Sequence, residues 1–229
     1  MTQATTLHDY DKAVELNPQD ATAYSSRGVF KAQHEDFEGA FADFDKAIEL
    51  DPNYAGAYFN RAEAREDLNE DYEGALRDFD KAIELNPTDP DFYYERGRIR
   101  KLLEDYDNAL LDYNKVIELD PQADVYYSRG NLKKRMDDFD GALSDFDKAI
   151  ELDPEFADAY NNRGYLKYQL QDYEGALLDY DKAIEIDPQD KVFYANRADL
   201  FEKLAANAPT AKEKKAYSFK AKADKKKSR

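Results

Sequence analysis

A ten-residue segment of this chain returns six times with small changes, and its spacing constrains the fold more than any other feature. The copy that ends at Pro52 reads Asp-Phe-Asp-Lys-Ala-Ile-Glu-Leu-Asp-Pro. The copies end at Pro18, Pro52, Pro87, Pro121, Pro154 and Pro188, so the successive gaps are 34, 35, 34, 33 and 34 residues. A fixed period of this length indicates a solenoid, in which each unit covers the apolar face that its neighbour cannot bury alone.

The pattern within one period predicts a helical hairpin. In residues 21–54, apolar residues recur at helical spacing in two runs. Asp36 precedes the second run as an N-cap, and Pro52 follows its end, where proline stops a helix. We therefore expect helices over 21–34 and 37–50. Gly28 and its equivalents mark the place where the two helices approach closely, because a side chain there would hold them apart.

The repeat runs through nearly the whole chain and predicts one array of about thirteen helices over residues 1–207. We expect a half-repeat at 5–18, followed by full repeats at 21–54, 55–89, 90–122, 123–156 and 157–190. The first helix of a sixth unit follows at 191–207. Residues 208–229 are expected to form a basic capping helix and tail, because a polar terminal helix suits the open end of a solenoid.

These residues resemble the tetratricopeptide repeat family, whose pattern runs aromatic, small residue, alanine, aromatic and proline. The first full unit matches that pattern with Tyr24, Gly28, Ala40, Phe44 and Pro52, and four further units repeat the match across about residues 18–207. The resemblance implies an all-α fold, a right-handed α-solenoid of antiparallel helix pairs. It also implies that the first helices line a concave groove that holds an extended peptide or a helix of a partner.

Composition and motif content argue against catalysis. The chain has no cysteine, and eight of its nine glycines are repeat positions, so neither a thiolate site nor a glycine-rich phosphate loop can be assembled. His8 and His34 have no second ligand at metal spacing. The carboxylates repeat with the period, whereas an acid–base pair needs one unique pocket. We expect no enzyme, no cofactor and no metal site.

The formal net charge of −17 is unevenly distributed. Residues 210–229 carry a charge of +7, which leaves −24 on the rest of the chain. A body this acidic repels phosphate backbones and anionic lipid, so we expect no nucleic acid on it. Contact of the basic tail with nucleic acid or lipid is the alternative to a solubilising cap. Because neither a membrane span nor a secretory signal is visible, a cytoplasmic location is expected.

Two charged positions also recur with the repeat. One holds Arg27, Arg61, Arg96, Arg129, Arg163 and Arg197, and the other holds Asp9, Asp43, Asp78, Asp112, Asp145 and Asp179. One interpretation is an arginine stripe that receives acidic ligands. The other is an ion-pair ladder in which each aspartate pairs with the arginine of the following helix, 17 or 18 residues on, because pairing within a repeat would leave Asp9 and Arg197 without partners. We expect the ladder, with register specification as its main gain.

The candidate binding groove consists of first-helix positions that vary between units. Its predicted members are Phe59, Asn60, Tyr94, Arg98, Lys101, Tyr127, Asn131, Lys134, Arg135, Asn162 and Tyr165. The middle of this set is basic and aromatic within an acidic chain, which favours an acidic partner. The alternative is that Lys101 and Lys134 only balance nearby carboxylates on a solvated face.

Two functions follow from these patterns. The first is a non-catalytic protein–protein interaction scaffold that binds a protein or peptide segment in the groove, with an acidic segment favoured by the basic patch. The second is a structural module that associates with copies of itself through its open helical ends, an idea motivated by the half-repeat at 5–18.

Overall fold

The computed structural model describes residues 6–69 and 71–228, the side chain of Asn69 excepted. Residues 1–5, 70 and 229, which fall within the predicted array and tail, lie outside the described residues. Within the described ranges the chain forms thirteen α-helices and no strand, which confirms the all-α prediction. It divides into two compact units, and the first ends at Asp120.

The first unit contains one single helix and three hairpins. Its helices are α1 (Leu7–Leu16), α2 (Ala21–Gln33), α3 (Phe37–Leu50), α4 (Ala55–Asn69), α5 (Tyr72–Leu85), α6 (Pro90–Leu102) and α7 (Tyr106–Leu119). The hairpin partners α2 and α3, α4 and α5, and α6 and α7 make the most extensive contacts, and consecutive hairpins pack together. The bounds of α2 and α3 agree with the two helices predicted for the first full repeat.

The second unit contains three hairpins. Its helices are α8 (Ala123–Arg135), α9 (Phe139–Leu152), α10 (Ala157–Gln169), α11 (Tyr173–Ile186), α12 (Lys191–Asn207) and α13 (Ala211–Lys227). The hairpin of α12 and α13 is longer than the others, since each of its helices has 17 residues. The lysine-rich helix α13 packs along α12, as second helices do along first helices elsewhere in the chain.

In the first five hairpins, from α2–α3 to α10–α11, the second helix contributes a buried alanine–aromatic core. In α3, Ala40, Phe44 and Ala47 are fully buried. A Cβ atom at Gly28 would lie 2.7 Å from Cε1 of Phe44, so the ring occupies the space that a side chain would need. Asp36 caps α3 as predicted, because its Oδ1 accepts a hydrogen bond from the backbone N–H of Gly39 at 3.0 Å.

The periodic arginines pair with aspartates of their own hairpins. The Nε and Nη2 atoms of each arginine donate to the two carboxylate oxygens of one buried aspartate at 2.5 to 3.1 Å. The pairs are Arg27–Asp43, Arg61–Asp78, Arg96–Asp112, Arg129–Asp145, Arg163–Asp179 and Arg197–Asp224. The Cζ atom of each arginine also lies 5.4 to 5.7 Å from the ring centroid of the tyrosine three residues before it.

The predicted pairing of each aspartate with the arginine of the following helix is therefore wrong. The antiparallel hairpin places the arginine directly opposite the aspartate of its own second helix, and α13 supplies Asp224 for Arg197. Asp9 lies outside the set, because its carboxylate accepts from the backbone N–H and Oγ of Thr6 at 2.8 Å in a capping box. An arginine can also contact the preceding second helix, but the partner there is an exposed aspartate two residues after the buried one. Nη1 of Arg61, for example, donates to Asp45 at 2.6 Å.

A second cation completes each buried site in five of the hairpins. It stands four residues after the arginine, at Lys31, Arg65, Arg100, Lys133 and Lys167, and reaches the same aspartate at 2.7 to 3.2 Å. Breaking such a site leaves an uncompensated charge away from water, whereas the intact group contributes little net stability over an apolar isostere. Specification of the helix register, the gain expected from the sequence, stays a prediction for these charged groups.

Candidate functional site

The variable residues lie on the first helices. In each unit we call the surface of these helices the first-helix face, which consists of α2, α4 and α6 in the first unit and of α8, α10 and α12 in the second. Side chains of successive first helices contact each other there. In the first unit, Nδ2 of Asn60 donates to Oγ of Ser25 at 3.0 Å. In the second unit, Nδ2 of Asn196 donates to Oδ1 of Asn161 at 2.8 Å.

Arg98 of the first unit is neutralised by two carboxylates. Its Nε donates to Glu95 at 2.6 Å, and Nη1 and Nη2 donate to both carboxylate oxygens of Glu66. The hydrogen bonds to Glu66 raise the pKa of the guanidinium. The expectation that Arg98 offers its charge to an acidic partner is therefore wrong. Sequence analysis missed Glu66 because it assigned groove residues by position in the repeat, and Glu66 lies on the preceding first helix.

The aromatic residues that were predicted for the groove in the first unit pack against neighbouring rings. The ring of Phe59 lies 5.6 Å from that of Phe79 and 5.0 Å from that of Phe92. Tyr94 is half-buried, with its ring 5.8 Å from that of Tyr113. Lys101 is also half-buried, one residue before the end of α6. The ring contacts of Phe59 and Tyr94 shape the first-helix face, and they leave limited aromatic surface for a ligand.

The second unit brings five of its predicted residues together. Nδ2 of Asn162 donates to the hydroxyl of Tyr127 at 2.9 Å and to Oδ1 of Asn131 at 3.0 Å. Nζ of Lys134 lies 5.6 Å from the ring centroid of Tyr165. These contacts join α8 to α10 across the face. Burial raises the pKa of the Tyr127 hydroxyl.

Lys134 differs from Arg98 in its electrostatic surroundings. Among the residues that the structure describes, no carboxylate forms an ion pair with Lys134. Burial, and then the neighbouring charge of Arg135, lower the pKa of its ammonium group. Arg135 itself is exposed at the end of α8. Lys134 is thus a partly desolvated cation without a counterion on a face that also presents amides and tyrosines.

Some side chains of the basic tail contact α12. Nζ of Lys225 contacts Glu202 at 2.6 Å, and Nζ of Lys227 lies 4.7 Å from the ring centroid of Tyr194. Most other lysines of the tail are exposed, and so is Phe219, with 74% of its surface accessible. Throughout the described ranges, no cluster of His, Asp and Glu has a metal-binding arrangement, and no helix has the length and apolar character that a bilayer crossing requires.

The comparisons with known proteins agree with this architecture. Models of the tetratricopeptide repeat match residues 32–69, 68–103, 90–122 and 127–191. The chain is 30% identical to YrrB, which is described as a TPR protein with an unusual peptide-binding site, over 82% of this chain and 97% of that one, with a TM-score of 0.68. The chain belongs to the tetratricopeptide repeat family, which is generally a non-catalytic interaction module.

Other solved structures are similar at lower identity. MamA is 25% identical over 70% of this chain and 94% of that one, with a TM-score of 0.66. The pilF protein of Pseudomonas aeruginosa shares the fold at 18% identity over 91% of this chain and 97% of that one, with a TM-score of 0.68. No curated protein sequence matches the chain.

Proposed function

We propose that this protein is a non-catalytic scaffold that binds an extended segment of a partner protein on its first-helix face. Membership of a family of interaction modules supports the general function, and YrrB, a relative at 30% identity, is described as having a peptide-binding site. In the second unit, the segment meets Tyr127, Asn131, Lys134, Arg135 and Asn162.

The observation that carries the proposal is the half-buried Lys134, which forms no ion pair within the part of the chain that the structure describes. A carboxylate on the partner would form a charge-assisted hydrogen bond with it in a partly water-excluded place, where such bonds are strong. Arg135 beside it adds positive potential that attracts an acidic residue. The partner segment is therefore one that carries an Asp or Glu.

The amides and the tyrosine supply the remaining interactions. Both Nδ2 hydrogens of Asn162 are used within the face, but its Oδ1 can accept a hydrogen bond from the main chain of an extended segment. The ring of Tyr127 packs 4.9 Å from that of Phe156, which fixes one side of an aromatic surface on which an apolar side chain can rest.

The test is the affinity of an acidic peptide selected from a random library on the intact chain. Lys134→Met keeps an apolar stem over Tyr165 and removes the charge, so binding should weaken by about tenfold or more at low salt. The control is Lys148→Met on α9, where the lysine pairs with Glu151 at 2.9 Å. Equal affinities for wild type and Lys134→Met, at unchanged thermal stability, would exclude this site.

Self-association is a second candidate function. Leu16 on α1 and Phe219 on α13 are 77% and 74% exposed, and exposed apolar side chains of this size favour association. If copies associate through them, light scattering should show a mass that rises with concentration, and Phe219→Ser should abolish the rise. A mass that stays monomeric at all concentrations would exclude this function.

A further inference from the structure

The first unit carries a groove whose chemistry is opposite to that of the Lys134 region. It lies on the first-helix face, has a volume of about 200 Å³ and receives side chains from α2, α3 and α4. The apolar part of its lining comes from Val29, Ala32, Phe44 and Ala64. The polar part comes from Gln33, Asn60, Glu63 and Asp67. We call this the α2–α4 groove.

The two carboxylates of the α2–α4 groove have no ion-pair partner among the described residues. Glu63 and Asp67 stand four residues apart on α4, so they share one side of the helix. Arg98 is near enough to affect Glu63 electrostatically, but its guanidinium is bound to Glu66 and Glu95. The wall of the groove is therefore negative, although one cation stands beside it.

Glu63 and Asp67 are both exposed to solvent, so a ligand can reach them. The surrounding protein still withdraws part of the hydration of Glu63 and raises its pKa to about 7, and the neighbouring Glu95, Asp67 and Glu66 act in the same direction. An ionised carboxylate in such surroundings gains from any cation that approaches it. A cationic group that a ligand places beside Glu63 would therefore be bound in preference to water.

We propose that the α2–α4 groove receives a lysine or arginine side chain from the partner segment. The apolar lining takes the aliphatic stem, and Glu63 and Asp67 take the charged head, as long cationic side chains bury their stems and pair their ends. Charge complementarity selects this occupant, since an acidic side chain would be repelled and an apolar one would leave both carboxylates without a cation. The proposal rests on the proposed function, because it assumes that a segment lies on the first-helix face.

The experiment uses the full chain and a phage-displayed library of random peptides of about twelve residues. Wild type should enrich peptides that contain Lys or Arg, and replacing that residue by norleucine in a selected peptide should weaken binding about tenfold. The double variant Glu63→Gln, Asp67→Asn should bind the Lys and norleucine peptides equally. The matched control is Glu49→Gln, Glu84→Gln, which removes the same charge from second helices at side chains that are 69% and 68% exposed.

The outcomes separate this inference from the proposed function. Non-specific attraction of basic peptides to an acidic chain would fall equally in the double variant and its control, and that result would overturn the inference. Selection of acidic peptides that depend on Lys134, without any that depend on Glu63 and Asp67, would also overturn it and leave the proposed function in place. Failure to select any peptide would overturn both. Millimolar Ca²⁺ or Mg²⁺ that displaces the peptide and binds alone would identify a metal site instead.

Discussion

The pairing of Arg96 with Asp112 gives the sharpest test of how the hairpins are held. Asp112 has only 3% of its side chain exposed and accepts two hydrogen bonds from Arg96 and one from Arg100. Arg96→Ala leaves this carboxylate with one cation, and we expect the free energy of unfolding to fall by about 2–3 kcal/mol. Asp112→Ala leaves two half-buried cations without their shared partner, so the loss should reach about 3–5 kcal/mol.

A double-mutant cycle separates the pair from its surroundings. The coupling energy between Arg96 and Asp112 should be about 1.5–3 kcal/mol, whereas Arg96 and Asp78 should be additive within about 0.5 kcal/mol, because Asp78 is bound by Arg61 and Arg65. As a control, Asp80→Ala removes the exposed partner of Arg96 and should cost less than about 1 kcal/mol.

The assay is urea unfolding followed by circular dichroism, with comparison restricted to variants of unchanged m-value, since repeat arrays can lose cooperativity. Strict additivity of Arg96→Ala and Asp112→Ala would refute the pairing. Coupling of equal size between Arg96 and Asp78 would restore the inter-repeat ladder that was expected from sequence.

Three further predictions concern other parts of the molecule. Glu63→Gln should stabilise the protein by about 1 kcal/mol at about pH 8 and by much less at about pH 5. The folded carboxyl binds protons more tightly than the unfolded one, so wild-type stability falls as the pH rises from about 4.5 through 7; urea melts at both pH values test this. Gln171→Gly should raise the free energy of unfolding by up to about 1 kcal/mol, because Gln171 has a φ of 65°; a lower thermal midpoint would contradict this. Helix α1 should exchange its amide hydrogens first, since Ala13 is exposed whereas the equivalent Ala47 is fully buried; protection equal to that of α3 would oppose the prediction.

Sequence reasoning succeeded where a property depends on residue spacing along one helix. The repeat of Gly28, Ala40, Phe44 and Pro52 predicts a hairpin with one apolar stripe on each helix, and the structure has these helices with the predicted bounds. This works because the helical period converts sequence spacing directly into a shared face. Asp36 was recognised as an N-cap for the same local reason, since it acts on a backbone group three residues away.

Electrostatic assignments at the candidate site needed the tertiary structure. Arg98 and Lys134 look alike in sequence, as cations on first helices. Arg98 is held by Glu66 and Glu95, whereas Lys134 lies over the ring of Tyr165 and forms no ion pair among the described residues. Glu66 is 32 residues from Arg98, so no local rule connects them.

The repeat period by itself determined the helical hairpins and their apolar core. An apolar stripe on a helix stays buried when the helix shifts by about an ångström or when one apolar side chain replaces another. Only the tertiary structure decided which charges pair. The aspartates that Arg61 contacts lie 16 residues before it and 17 after it, while the expected partner lies 18 before it. An ion pair depends on a few ångströms between two atoms, and the crossing of the helices, rather than the separation along the chain, sets that distance.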